Sequence, residues 1–201
     1  MENVVTVVKW LKRGRQRSAV AQALRKPMIA SQIWQAARQI NSRIQLRDVW
    51  FILRQLMERK LVVCLNPRRT NGRLFYLTDE GRKLAAAAFG VKRDPLPESV
   101  NWQKYGDVVR GKTRRLILDG LGRLAERTGE SQTAANVRKF LRNGHAVGLN
   151  PVIRALRELE ALGLIRNVAV ITRKQKHRRY ILTLGGRRIV ELLHGEQPKY
   201  F

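Results

Sequence analysis

Apolar residues recur at three- and four-residue spacing along most of the chain, which is the spacing of one face of an α-helix. In one such stretch Val152, Leu156 and Leu159 share a face, and Arg154 and Arg157 point away from it. The same pattern, interrupted by Pro and Gly, predicts helices at residues 3–12, 18–26, 31–39, 46–59, 78–89, 115–127, 133–141, 150–162 and 186–194.

Two pairs of β-rich runs predict hairpins between these helices. The first pair surrounds residues 66–72, where Pro67 and the Asn71-Gly72 step favour a turn. The second pair surrounds a seven-residue tip, residues 173–179, that holds five Lys or Arg residues and one His. The predicted strands are residues 61–65, 73–77, 164–171 and 180–183.

Signals for helix ends are strongest around residues 150–163. Asn150 is a favoured N-cap residue, and Pro151 suits the first helical position because it has no N–H to lose there. Gly163 suits a C-terminal position that requires a positive φ angle. We therefore expect a short helix, a tight turn and then the cationic hairpin.

The order of predicted elements occurs twice. Residues 13–17 (RGRQR) match residues 110–114 (RGKTR), and each motif introduces a set of helices followed by a hairpin and a closing helix. Each hairpin ends in a Tyr and a Thr, with a Gly three residues after the Thr: Tyr76, Thr78 and Gly81, then Tyr180, Thr183 and Gly186. This repetition indicates a duplication. We expect a first domain at residues 1–90, a Pro-containing linker at 91–101 and a second domain at 102–201.

The charge of the chain is extreme and evenly distributed. The 201 residues include 41 Lys and Arg against 15 Asp and Glu, a net charge of +26. Residues 1–100 carry 20 basic and 7 acidic side chains, and residues 101–201 carry 21 and 8. A compact body with this charge favours a polyanion as its partner, most often nucleic acid.

Other classes of protein receive little support. No run approaches the ~20 apolar residues of a membrane span, and the N-terminal residues do not resemble a signal peptide. The single cysteine, Cys64, excludes an internal disulfide and is typical of a reducing compartment. We therefore expect no membrane partner and a cytoplasmic, nucleoid-associated location.

Three helices, a two-stranded hairpin and a closing helix, twice over, resemble the winged helix-turn-helix superfamily of DNA-binding domains. The phrases at residues 76–82 (YLTDEGR) and 180–187 (YILTLGGR) are similar to those of MarR-, PadR- and related prokaryotic regulators. Residues 156–165 (LRELEALGLI) resemble the junction between recognition helix and wing; the first repeat departs from it with Lys60 in place of the glycine. The implied fold is α+β and predominantly helical, with two tandem winged helix-turn-helix domains.

The resemblance implies a recognition helix in the major groove of double-stranded DNA and a wing on the backbone. The expected contacts in the second repeat are His145, Asn150, Arg154 and Arg157 from the helix, and Arg173, Lys174, Lys176, His177, Arg178 and Arg179 from the wing. In the first repeat they are Arg43, Gln45, Arg47 and Arg54 near the helix, and Arg68, Arg69 and Arg73 in the wing. Because Asp48 weakens phosphate contact in the first repeat, we expect the second repeat to bind DNA more tightly.

An aromatic pair distinguishes the first recognition helix. If Val49, Leu53 and Leu56 face the core, at least one of Trp50 and Phe51 is exposed. Both rings could instead fold onto a neighbouring helix. The alternative is a contact with another protein or with a second copy of the chain, to which the N-terminal helix would also contribute.

Neither a metal site nor catalytic chemistry is indicated. One Cys and three scattered His residues do not form a tetrahedral cluster at known spacings, and the Gly120-Leu121-Gly122 step lacks the strand and third glycine of a dinucleotide site. We expect no cofactor and no enzymatic activity. The leading hypothesis is a double-stranded DNA-binding regulator or architectural protein; an RNA- or ribosome-associated protein and a protein-interaction scaffold remain alternatives.

Overall fold

The computed structural model describes residues 3–93, 95–97, 99–129, 131–142, 147–171 and 176–194. The chain divides into two compact units, residues 1–98 and 99–201. In the described residues the fold is α+β and mostly helical, with ten helices and two three-stranded antiparallel sheets. The expected fold class is confirmed at this level.

The first unit contains five helices and one small sheet. Its elements are α1 (Val4–Arg13), α2 (Arg15–Ala23), β1 (Met28–Ile29), α3 (Ala30–Arg38), α4 (Leu46–Glu58), β2 (Val62–Cys64), β3 (Leu74–Leu77) and α5 (Asp79–Phe89). The strand order is β1-β3-β2, and Met28 lies opposite Phe75 while Val62 lies opposite Leu77. The core includes Ile33, Val49, Leu53 and Leu56, all buried.

The second unit repeats the same element order. Its elements are α6 (Trp102–Arg110), α7 (Lys112–Thr128), β4 (Gln132–Thr133), α8 (Ala134–Arg142), α9 (Leu149–Ala161), β5 (Ile165–Ile171), β6 (Lys176–Leu182) and α10 (Leu184–His194). The strand order is β4-β6-β5, the counterpart of the first sheet. Ile117, Leu118, Val137, Leu156 and Leu159 are buried in its interior.

Three elements were not predicted. The strands β1 and β4 are two residues long and form only because β3 and β6 offer them hydrogen-bonding edges. The helix α6 begins after Asn101, whose side chain accepts a hydrogen bond from Lys104 N at 3.1 Å, and buries Tyr105. With α6 as the counterpart of α1, the repeat is more complete than the sequence pattern indicated.

The two RGxxR motifs form the same helix junction. Gly14 separates α1 from α2 and Gly111 separates α6 from α7, with nearly equal backbone angles (φ −93°, ψ 105° and φ −96°, ψ 101°). The second and seventh helices therefore begin directly after these glycines, three residues earlier than predicted. The prediction that α2 continues to residue 26 was wrong, because the helix ends at Ala23, well before Pro27.

The Thr and Gly that follow each hairpin have one structural role in both units. The Thr78 hydroxyl donates to Lys60 O at 2.7 Å and accepts from Gly81 N, so it joins the end of α4 to the start of α5. Thr183 makes the matching bonds to Gly163 O, at 2.8 Å, and from Gly186 N. A Cβ on Gly81 or Gly186 would meet the backbone oxygen of the adjoining strand segment. The sequence phrase therefore marks a cap and a close helix–strand contact.

The turn after α4 and the turn after α9 have the same backbone conformation despite different residues. Gly163 has φ +66°, as predicted, and Leu164 N donates to Leu159 O at 3.0 Å. At the corresponding position Lys60 has φ +57°, and Leu61 N donates to Leu56 O at 2.9 Å. Left-handed backbone costs a non-glycine residue about 1–2 kcal/mol, so packing of the hairpin imposes this strain on Lys60.

Part of the segment predicted as a linker is attached to the first unit. The Arg93 guanidinium donates to the backbone oxygens of Ala21, Gln22 and Leu24, at 3.0, 3.3 and 3.0 Å. These are the last carbonyls of α2, which lack partners within the helix. Burial of the guanidinium is the main cause that lowers the pKa of Arg93, and the positive charge of Arg25 lowers that pKa further.

Candidate nucleic-acid interface

The helix α9 presents a polar face away from its buried stripe. Val152, Leu156 and Leu159 are buried, and Arg154 and Arg157 are exposed, as predicted. The predicted start of the helix was wrong by two residues. Its N-cap is Gly148, so Asn150 and Pro151 lie in the first turn. Pro is tolerated there because none of the first four N–H groups has an intrahelical partner. Asn150 is exposed and remains beside Arg154.

An open cleft of about 660 Å³ separates the start of α7 from α9. One wall contains Asn150 and Arg154, two of the predicted contacts. The other wall contains Lys112 and Arg114, which were not predicted to belong to the site. The RGKTR motif could have pointed to these two residues, because it concentrates positive charge at the start of α7, which here faces α9 across the cleft.

Glu158 is the acidic residue lining this cleft, and two arginines neutralise it. Its carboxylate accepts from Arg114 Nη1 at 2.7 Å and from Arg154 Nε at 3.1 Å. Partial burial would raise the pKa of Glu158, but the two hydrogen-bonded arginines together hold that pKa below its usual value. The cleft therefore keeps an excess of positive charge, and Glu158 orients Arg154 along the helix surface.

A second cleft, of about 370 Å³, lies where α9 meets the hairpin β5–β6. Arg157 from α9 and Arg178 from β6 line it together with Leu149, Ile153 and Tyr180. Both arginines are exposed. Two predicted contacts from separate elements, 21 positions apart in sequence, thus belong to one surface.

The predicted seven-residue tip of the second hairpin was wrong in its extent. Residues 176–179 belong to β6 and pair with residues 168–171 of β5, so the second strand begins four residues earlier than the sequence suggested. Lys176 and His177 lie in this strand; Arg178 is exposed and Arg179, on the opposite face, is half-buried. The remaining predicted contacts His145, Arg173 and Lys174 lie outside the described residues.

The helix α4, the counterpart of α9 in the first unit, has a different surface. Arg43, Arg47 and Arg54 are exposed, and Gln45 is the N-cap. The Asp48 carboxylate accepts from Gln45 N at 2.9 Å and from Gln16 Nε2 at 3.1 Å. Asp48 therefore caps α4 and joins it to α2. The corresponding residue of α9 is Pro151.

The aromatic pair of α4 is exposed. Trp50 and Phe51 keep 44% and 60% of their accessible surface, and Val49, Leu53 and Leu56 are buried. The expectation that at least one ring is exposed is confirmed, and neither ring folds into the core. Trp50 contacts Phe75 edge-on, with ring centroids 5.7 Å apart.

The first hairpin is shorter and closed by a buried asparagine. The Asn66 side chain accepts from Leu74 N at 2.7 Å and donates to Gly72 O at 3.2 Å. Sequence reasoning identified a turn here but not this role of Asn66. The predicted contacts of this hairpin differ in exposure: Arg68 and Arg73 are exposed, and Arg69 is half-buried.

Other kinds of site receive no support from the described residues. Among them, no three His, Cys, Asp or Glu residues come close enough together to bind a metal ion. None of the helices in these ranges has the length and apolar character needed to cross a membrane.

Comparison with known proteins does not assign the chain to a family. No protein-family model matches it, and no curated protein matches its sequence. Its function is therefore inferred from the residues and their geometry.

Proposed function

We propose that each unit is a winged helix-turn-helix domain and that the protein is a non-enzymatic binder of double-stranded DNA. In this proposal α4 and α9 are the recognition helices, and the hairpins β2–β3 and β5–β6 are the wings. The protein would act as a transcriptional regulator or as a DNA-architectural protein, associated with the nucleoid in the cytoplasm.

The observation that carries this proposal is the shared surface of Arg157 and Arg178. A helix that enters the major groove needs a neighbouring element to contact the adjacent phosphates, because backbone contacts set its orientation. Here the exposed side of α9 and the exposed side of β6 line one cleft, with a guanidinium from each. Arginine suits both tasks, since its planar fork binds guanine edges and phosphates with two hydrogen bonds.

The surroundings of this surface are also cationic. Lys112, Arg114 and Arg154 line the first cleft, and Glu158 is paired with two of these three. The net charge of +26 adds a long-range attraction to any duplex. The same charge exceeds the need of a few specific contacts, which favours an abundant protein with modest sequence preference.

A salt titration with matched variants tests the proposal. We expect a 20–30 base-pair duplex to bind the full chain, with a log–log slope that falls by about 0.9 for each phosphate that a variant no longer neutralises. Arg157→Gln and Arg178→Gln should each weaken binding by about tenfold at low salt, as expected for one charge-assisted contact. Arg187→Gln, at an exposed position of α10 outside both clefts, is the charge-matched control and should change the affinity less than about twofold.

Three results would contradict the proposal or refine it. Equal losses for Arg187→Gln and Arg178→Gln would mean that the charge acts without a defined interface. Preference for structured RNA over duplex DNA in direct competition would replace DNA as the ligand. A slope equivalent to about ten neutralised phosphates, with little difference between sequences, would assign the architectural role.

A further inference from the structure

The exposed face of α4 combines aromatic rings with cations. Trp50 and Phe51 are exposed on the side of the helix opposite its buried stripe. Arg47 and Arg54 lie three or four positions from these rings, so all four side chains belong to one surface of the helix. We call these four residues the aromatic face.

The rings of this face are supported by the core without being buried in it. Phe75 is almost completely buried and contacts Trp50 edge-on, with an interplanar angle of 86°. This contact fixes the orientation of the indole while 44% of Trp50 stays accessible. Phe51, the more exposed ring, lies one position further along the helix. The indole of Trp50 therefore needs less ordering on binding than a free ring.

The second unit lacks this combination. The helices α4 and α9 each have 13 residues and bury the same positions, so Trp50 corresponds to Ile153 and Phe51 to Arg154. If both helices served only to enter the groove of a duplex, α4 would not need two exposed aromatic rings at positions where α9 has Ile and Arg. The first unit therefore carries an additional contact.

The charge around the rings indicates what covers them. Arg43, Arg47 and Arg54 are all exposed. Asp48, the acid nearest the rings, accepts hydrogen bonds from Gln45 N and Gln16 and lies 4.0 Å from Arg47 Nε, so Arg43 and Arg54 keep the face cationic. A second copy of the chain, with the same net charge of +26, would bring like charges together at this face. A ligand that offers flat apolar surfaces and negative charge together satisfies both the rings and the arginines.

We propose that the aromatic face binds unpaired bases of a single-stranded nucleic acid, with Phe51 and Trp50 as stacking surfaces and Arg47 and Arg54 on the flanking phosphates. Bases within a duplex cover their faces by stacking on each other, so only an unpaired or extruded base can use these rings. This single-strand binding would be additional to the duplex binding proposed above, and it does not depend on that duplex binding. The first unit would hold a separated strand or loop, and the second unit the adjoining duplex.

A comparison of single-stranded and duplex probes tests this proposal on the full chain. The single strand is a labelled mixed-sequence oligonucleotide of about 16 nucleotides, the upper size of a compact single-strand site, and the duplex has the same sequence. Phe51→Ala should raise the dissociation constant for the single strand by about 5- to 150-fold, the range found for removal of one stacking ring. Phe51→Tyr keeps the ring and should stay within about twofold of the wild type. Phe51→Ala should lower duplex affinity clearly less than it lowers single-strand affinity.

Trp50 and the second unit supply independent readouts. Single-strand binding should quench tryptophan fluorescence, and Trp50→Phe should remove most of the quenching even though Trp10, Trp34 and Trp102 remain. Arg154→Ala, at the position of Phe51 in α9, should weaken duplex binding more than single-strand binding. The opposite preferences of Phe51→Ala and Arg154→Ala would support two distinct ligand surfaces.

Several outcomes would overturn the proposal. Equal losses of single-strand and duplex affinity in Phe51→Ala would make the ring part of the duplex interface. A wild-type dimer that dissociates in Phe51→Ala, measured by sedimentation equilibrium, would make the face a contact between copies. Loss of binding to vesicles of anionic lipid in Phe51→Ala, without loss of single-strand binding, would make it a membrane contact. If the wild-type protein binds the single strand but not the duplex, that result would contradict the proposed function, and the stacking proposal would still hold.

Discussion

The helices α4 and α9 occupy the same place in the two units, and a comparison shows which of their positions agree and which differ. Val49, Leu53 and Leu56 of α4 are buried, and so are their counterparts in α9. The outward positions have diverged: α9 carries Arg154 where α4 carries Phe51. Close packing constrains the buried positions, because adding or removing one methylene there changes the stability of the fold. An exposed side chain can change with little effect on stability. The chemistry of each unit therefore resides in residues that do not determine its fold.

The residues after each helix junction show the same divergence. Arg17 donates to Trp10 O at 2.7 Å and lies 3.7 Å from the centre of the Trp10 ring. Arg114, at the corresponding position, instead pairs with Glu158 of α9. The first unit thus uses this arginine to attach α2 to α1, and the second uses it to set the charge of a cleft.

The largest expected difference concerns the hairpins. Changing Lys176, Arg178 and Arg179 to Gln should reduce duplex affinity by several hundredfold at 0.1 M salt, about 0.9 log units for each phosphate that is no longer neutralised. The matched change of Arg68, Arg69 and Arg73 to Gln should cost at least about tenfold less, because the strands of the first hairpin have three and four residues against seven in each strand of the second. Fluorescence anisotropy with one duplex at several salt concentrations measures both. Equal losses would show that the two hairpins contribute alike.

A steric prediction addresses the shared backbone of the two units. Gly81→Ala and Gly186→Ala should each destabilise their unit by about 3 kcal/mol, because the new Cβ would clash with a backbone oxygen that cannot easily move. Gly185→Ala is the control, since its Cβ would meet no atom closer than 3.9 Å and Ala favours the helix. Hydrogen–deuterium exchange resolved by peptide assigns each loss to a unit. A neutral Gly186→Ala would show that α10 does not approach β5 this closely.

Substitutions in the turns after α4 and α9 should change stability by a smaller amount and in opposite directions. Lys60→Gly should stabilise the first unit by about 1 kcal/mol, and Gly163→Ala should destabilise the second by about the same amount, since both backbones are left-handed. Urea unfolding of the full chain, with exchange to locate the change, measures the pair. A destabilising Lys60→Gly would mean that the lysine side chain contributes more than its backbone strain costs.

The smallest predicted effect depends on pH. Because the pKa of Glu158 is lowered in the folded state, its ion pairs stabilise the second unit above the ordinary glutamate pKa, and this contribution disappears as the pH falls through the lower, folded value. The effect should be below about 1 kcal/mol because the side chain is partly exposed. Glu158→Gln should remove it from urea unfolding curves between about pH 3 and pH 7. The first unit has Gln55 at this position, so its local stability should show no matching pH dependence.

Sequence reasoning succeeded where a local pattern carries the structure. The apolar spacing identified most helices, including the buried and exposed sides of α9, and the glycine signal at Gly163 was correct. The exposure of at least one of Trp50 and Phe51 followed from the burial of Val49, Leu53 and Leu56. Sequence reasoning failed where the structure of a segment depends on a partner far away in the chain. Lys176–Arg179 read as a loop because basic residues are rare in strands, yet β6 forms by pairing with the apolar strand β5.

The repeated order of motifs, the helical periodicity, the positive charge of both halves and the motif that caps each closing helix are all readable from the order of the residues. They depend on composition and on short spacings along the chain. Folding is needed to show that β1 and β4 exist, that Lys60 adopts a left-handed backbone, and that Arg157 and Arg178 share a cleft. Each of these depends on groups far apart in the chain, whose hydrogen bonds and packing are formed only when the hairpin folds against the helices.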